Sequence, residues 1–83
     1  MQFTEFYATG TARRHMLDKH RVHWSEVEEV LSGPVRGLRA ADVRGERRYM
    51  ISGRTTGGRR LRIVVALESV DRIRVVTAYE IRK

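Results

Sequence analysis

His15, His20 and His23 fall in one short segment, HMLDKHRVHWSEVEEVL at residues 15–31, beside Lys19 and Trp24. Imidazole binds metals, moves protons near neutrality and contacts phosphate. Their spacing argues against a metal. On a continuous helix His15 and His20 stand roughly 140° apart around the axis, at about 100° per residue. His23 lies beyond that helix, and no H-E-x-x-H pattern is present. Two readings stay open for His20. It caps the first helix or hydrogen-bonds across the junction, with Lys19–His20 suiting the negative end of the helix dipole. Otherwise it contacts phosphate or transfers a proton.

A second constellation lies in VRGERRY, residues 43–49, where Glu46 sits among Arg44, Arg47 and Arg48. Tyr79 and Glu80 come late in the chain. RNA is cleaved without metal when its 2′-hydroxyl attacks the adjacent phosphate. That reaction needs a base, cations for the phosphorane and an acid for the leaving oxygen. Glutamate, arginine and histidine or tyrosine can fill those roles. Glu46 can equally be a surface ion-pair partner of small energetic weight.

These residues are carried by elements with different periods. MQFTEF suits a short edge strand with Phe3 inward. Gly10 marks a turn into a helix over Thr11–His20, where Ala12, Met16 and His20 share a line. Ser25 is the expected cap of a second helix, with Glu28 completing a capping box. Val27, Val30 and Leu31 form its apolar stripe, Glu26, Glu28 and Glu29 lie largely outside it, and SGP at 32–34 ends it. VRGLRAADV at 35–43 reads as an irregular first strand. RRYMISGR is a strand, and TTGG at 55–58 a turn. In RRLRIVVALES, Leu61, Ile63, Val65 and Leu67 share a face opposite Arg60, Arg62 and Glu68. In IRVVTAYEI, Ile73, Val75, Tyr79 and Ile81 share a face. The expected fold is α+β, with two N-terminal helices packed on a small antiparallel meander.

The 83 residues are read as a single domain, 1–83, with a core small enough for a partner to help it. There is no cysteine, which excludes disulfides and thiolate metal sites. No apolar run is long enough for a membrane-spanning helix, and the N-terminus does not resemble a signal peptide, so a cytoplasmic protein is expected. The net charge is +7, and fifteen of the seventeen basic residues are arginine. Arginine favours planar, bidentate contact with phosphate or carboxylate, so nucleic acid or an acidic protein is the expected partner.

The order of KHRVHWSEVEEVL, RGERRYMISG, TTGGRRLRIVVALE and RIRVVTAYEI resembles the BrnT family of type II toxin–antitoxin toxins, within the RelE/ParE-like superfamily. The likeness runs from about Lys19 to Glu80. Arg21 stands where the family commonly has glycine, and Tyr79 where it has a final-strand arginine. The resemblance implies a RelE/ParE-like fold and a toxin that cuts RNA. It also implies a cognate antitoxin carrying a DNA-binding domain. It would place Lys19, His20, Glu46, Arg47 and the last strand along the active cleft.

Combined with the chemistry above, this gives His20, Glu46, Arg47 and Tyr79 as catalytic candidates and Lys19, Arg48, Arg60 and Arg62 as RNA contacts. No cofactor is expected. Glu46 or His20 would take the 2′-hydroxyl proton, Arg47 and Arg60 would stabilise the phosphorane, and His20 or Tyr79 would assist the leaving group. The competing classes are a non-catalytic basic module binding nucleic acid or an acidic partner, and a toxin scaffold directed at a non-RNA target such as a topoisomerase. If RNA cleavage is metal-free, as the histidine spacing suggests, adding EDTA leaves its rate unchanged. Loss on chelation with recovery on adding a divalent ion would exclude that chemistry.

Overall fold

A computed structural model describes residues 5–33, 36–69 and 72–81. Strand β1 (Glu5–Tyr7) leads into helix α1 (Gly10–His20) and helix α2 (Trp24–Ser32). Four strands follow: β2 (Arg36–Val43), β3 (Glu46–Arg54), β4 (Arg60–Leu67) and β5 (Arg72–Glu80). They form one five-stranded sheet in the order β1-β5-β4-β3-β2. The expected meander is present from β2 to β5, every neighbouring pair antiparallel. The expected edge strand is β1, but it pairs with β5 in parallel, so the sheet is mixed rather than wholly antiparallel. Its partner strand lies at the far end of the chain, a pairing that no local pattern encodes. Phe3 lies outside the described residues.

Both helices begin earlier than their apolar periodicity suggests. Thr9 caps α1, its hydroxyl accepting the Ala12 amide at 3.1 Å, so Gly10 is the first helical residue rather than a turn. The cap of α2 is His23, not Ser25. The Glu26 carboxylate accepts the His23 backbone N–H at 3.0 Å, and Ser25 lies inside the helix. Sequence spacing allowed both registers. The Glu26 register prevails because it also gives that carboxylate a cation from the sheet, described below.

Val27, Val30 and Leu31 of α2 enter the core as expected, joining Met16 and Val22 against Ile51, Leu61, Ile63, Val65, Ile73, Val75 and Ala78. The register across the sheet gives Tyr49–Val65–Val75, Ile51–Ile63–Ala78 and Gly53–Leu61–Glu80 as successive rungs on the helix-covered face. The opposite face carries Arg48–Ala66–Arg74, Met50–Val64–Thr77 and Ser52–Arg62–Tyr79. Val64 pairs with Thr77 and Val65 with Val75, leaving Val76 as an extra residue. Such a bulge reverses the side-chain parity beyond it. That reversal corrects the last strand: Ala78 joins Ile73 and Val75 in the core, and Tyr79 turns to the other face. Leu67 keeps the core parity expected of it, opposite Ile73, but is not covered. It ends β4 at 43% exposure, whereas Ala66 is buried between Arg48 and Arg74 in register.

Helix α2 packs tightly on the sheet at Gly53, where a Cβ would run into Val30 Cγ1. Valine is stiff at χ1 and cannot swing aside. Gly53→Ala is expected to cost about 1–3 kcal/mol through overpacking. Urea unfolding should show that loss, and Val30→Ala in the same chain should cost less than it does in the wild type. An unchanged midpoint in Gly53→Ala would refute the contact.

Candidate functional site

Helix α1 ends where Arg21 takes a left-handed conformation, φ 55°, its N–H bonding Leu17 O at 3.1 Å. Glycine ordinarily favours this capping position, having no Cβ to strain it. The next amide, Val22, bonds Met16 O, also at 3.1 Å, and the Val22 side chain enters the core. The chain thereby reverses into α2 within three residues.

Arg59 ties that reversal to the sheet. It leaves the β3–β4 turn, in which its amide bonds Thr55 Oγ1 at 3.1 Å. Its Nη1 donates to Arg21 O at 3.0 Å and to the two Glu26 oxygens at 2.8 and 2.9 Å. Nη2 donates to Glu80 Oε1 at 3.2 Å. One guanidinium thus joins the end of α1, the start of α2 and the end of β5. Burial opposes the charged form of Glu26, but the His23 amide and Arg59 outweigh it and hold this carboxyl below its ordinary range.

Above this clamp opens a cleft of about 470 Å³ lined by Lys19, His20, Arg21, Tyr79 and Glu80. The His20 and Tyr79 rings lie 5.9 Å apart between centroids, and the edge-on rings of His15 and His20 lie 5.5 Å apart. His20 is half-buried between the two, and His15 is exposed. Their separation in the sequence does not keep these imidazoles apart, because long side chains at a helix end reach around its axis. His20 itself makes no cap; the backbone of Arg21 does. Arg62 is the register partner of Tyr79, and Arg60 is exposed two residues earlier. Neither arginine forms an ion pair with a described residue.

Glu46 belongs to a different group. Its Oε1 accepts Arg48 Nε at 3.0 Å, and its Oε2 accepts Arg74 Nη2 at 2.8 Å. Arg74 continues to Glu68 at 3.4 Å, and the Tyr7 hydroxyl donates to both Glu68 oxygens, at 2.8 and 2.7 Å. The Arg48 hydrogen bond, with Arg74 beside it and against some desolvation, holds the Glu46 carboxyl below its ordinary range. A carboxylate so stabilised is a poorer base. Glu46 lies six residues along β3 from Ser52, which is level with Arg62 and Tyr79. At about 3.3 Å per residue that is roughly 20 Å. Arg47 points to the other face and pairs with Asp42 at 2.8 Å, both side chains more than half exposed.

The structure therefore brings Lys19, His20 and Tyr79 together with Arg62 alongside, and groups Glu46 with Arg48 elsewhere. Arg47 stands with neither. Arg59, Glu26 and Arg74 organise these groups without having been singled out as functional in the sequence, and Arg21 had stood out only as a departure from a family glycine. The available signals were weak: H-x-x-E at 23–26 as a second capping register, and the tandem arginines of GGRR. Among the described residues no group of three or more His, Asp or Glu side chains is arranged to hold a metal. No described helix is long and apolar enough to cross a membrane.

Two helices on one face of a five-stranded mixed sheet, with a basic cleft at the helix junction, define a small α+β domain. The crystal structure of the Brucella abortus ribonuclease toxin BrnT has a similar fold, with a TM-score of 0.68 over 95% of this chain and 97% of that one. The two are 14% identical in sequence, so the likeness is one of architecture. No family model matches the sequence, and no curated protein does. The expected BrnT-like architecture agrees with this comparison.

The clamp generates a pH dependence. The Glu26 carboxyl is lowered on folding from its ordinary 4.5. Its contribution to stability is therefore fully present above that value and is lost as pH falls through the lower folded value. Urea titrations from pH 6 downward should show stability declining below about 4.5, the ordinary value. Glu26→Gln should be less stable at pH 6 and show a shallower decline. Parallel curves for the two proteins would exclude the linkage.

Proposed function

We propose that this chain is a toxin-type, metal-independent endoribonuclease that cuts RNA in the cleft between the end of α1 and β5. One observation carries the reading: Lys19, His20, Arg21 and Tyr79 converge in a single open cleft, at a helix junction locked by Arg59. The fold likeness to a ribonuclease toxin supports it. His20 takes the 2′-hydroxyl proton as that oxygen attacks phosphorus. Lys19 and Arg21 offset the charge that develops on the phosphorane. Tyr79, its ring against His20, orients the imidazole and offers a face on which a base can stack. Arg60 and Arg62 lead the backbone of the RNA into the cleft, with Arg48 further along the same sheet face.

Glu46 has a different part in this scheme. Held between Arg48 and Arg74, it fixes those guanidiniums and takes no proton. Arg47 is left as a surface ion pair. The partner fitting so basic a chain is a cognate antitoxin that covers the cleft with acidic residues and carries its own DNA-binding domain, in the cytoplasm.

RNA binding and cleavage by three variants at two salt concentrations test this. His20→Ala should lower cleavage about 10²–10⁴-fold while binding persists. Glu46→Gln makes the protein more basic and should leave cleavage largely intact. Arg60→Ala should weaken binding and reduce the slope of log affinity against log salt by about 0.7, as for one phosphate on a single strand. Loss of cleavage in Glu46→Gln but not in His20→Ala would transfer the chemistry to the Glu46 cluster. A wild type that binds RNA and never cuts it would establish the basic-module reading instead.

A further inference from the structure

His15 stands beside this cleft, against the His20 ring that lines it, and the mechanism above leaves it unused. It lies one helical turn before Lys19, exposed, with its ring edge-on to His20 at 5.5 Å between centroids. Neither the His15 ring nor the His20 ring makes a hydrogen bond to any described residue, so their nitrogens are open to a ligand. The contrast with the surroundings is plain: Glu26 and Glu80 both accept from Arg59, and Arg48 and Arg74 both donate to Glu46. Two unpartnered imidazoles so spaced can each reach an oxygen of one phosphoryl group at a hydrogen-bond distance of about 2.6–3.2 Å.

We infer that His15 is the general acid of the reaction, paired with His20 as base; the inference rests on the ribonuclease reading above. His20 removes the 2′-hydroxyl proton while O2′ bonds to phosphorus. The P–O5′ bond breaks, and His15, in its imidazolium form, gives its proton to the departing O5′. The products are a 2′,3′-cyclic phosphate and a free 5′-hydroxyl, and one proton has moved to His20 and one from His15. Imidazole suits both halves, since it exchanges its proton near neutrality, whereas a phenol or an ammonium group holds one too firmly. Placement assigns the two roles. His20 is half-buried against Tyr79, where the attacking nucleotide is held. His15 is exposed to solvent, where a departing strand can be released.

A leaving-group comparison separates an acid from a base. Uridine 3′-(4-nitrophenyl phosphate) expels a nitrophenolate that needs no proton, whereas a uridine-containing dinucleotide expels an alkoxide that does. His15→Ala and the shape-preserving His15→Gln should lose about 10²–10⁴-fold on the dinucleotide. Both should turn over the aryl ester within a few-fold of wild type. His20→Ala should lose comparably on both substrates. Unchanged helical circular dichroism and urea midpoint in the His15 variants, whose side chain is exposed, establish that folding is intact. Equal losses on both substrates would overturn the assignment, as would no loss on either. If wild type cleaves neither substrate nor longer RNA, the ribonuclease reading falls and this assignment with it. If wild type cleaves and the His15 variants match it on the dinucleotide, only this assignment falls.

Discussion

The geometry of this small domain depends on one guanidinium. Arg59 emerges from the hairpin turn between β3 and β4 and satisfies a helix-terminal carbonyl and two carboxylates from separate elements. The groups it meets are only partly exposed, with Glu26 at 20%, Arg59 at 27% and Glu80 at 32% of side-chain surface. Partial burial strengthens such contacts and makes an unpaired member costly. The left-handed Arg21 is held in the same way: its carbonyl is an Arg59 acceptor, and the amide that follows reaches back to Met16. A residue that glycine would usually replace is kept in place by what surrounds it, and its side chain is thereby delivered to the cleft.

A second constraint acts through the sheet. The bulge at Val76 lets β5 serve two masters along one strand. Its first half puts Ile73 and Val75 into the core. Its second half puts Ala78 there and sends Tyr79 to the opposite face, beside Arg62. Without the extra residue Tyr79 would keep the parity of the core. Glu80, returning to the helix side, is then free to meet Arg59.

Charge is distributed accordingly. The chain carries a net +7, yet its acidic residues are concentrated at arginines that need holding. Glu46 and Glu68 anchor Arg48 and Arg74, and Glu26 and Glu80 anchor Arg59. Arg60, Arg62 and Lys19 are left unpaired among the described residues, on the strand and helix end that border the cleft. Charges without internal partners are the ones able to meet phosphate or an acidic protein.

Much of this was legible in the residues themselves. The apolar stripe of Val27, Val30 and Leu31 placed α2 on the sheet, and the alternation of Leu61, Ile63 and Val65 identified the core face of β4. The grouping of Lys19, His20 and Tyr79 as candidates followed from side-chain chemistry and a resemblance in motif order. Such features are local, because burial imposes its period on each element separately. What sequence could not decide was register. Ser25–Glu28 is the stronger capping pattern by residue type, and it is Arg59, arriving from a turn 33 residues away, that favours His23–Glu26. Glu46 looked like a base until Arg74, brought across the sheet, took its second oxygen. The Val76 bulge and the parallel pairing of β1 with β5 are likewise settled by long-range contacts. His15 and His20 seemed to diverge around a helix axis, yet their rings meet where the helix ends. Periodicity determines which face a residue occupies; which charges and rings share a site is decided by how distant strands align.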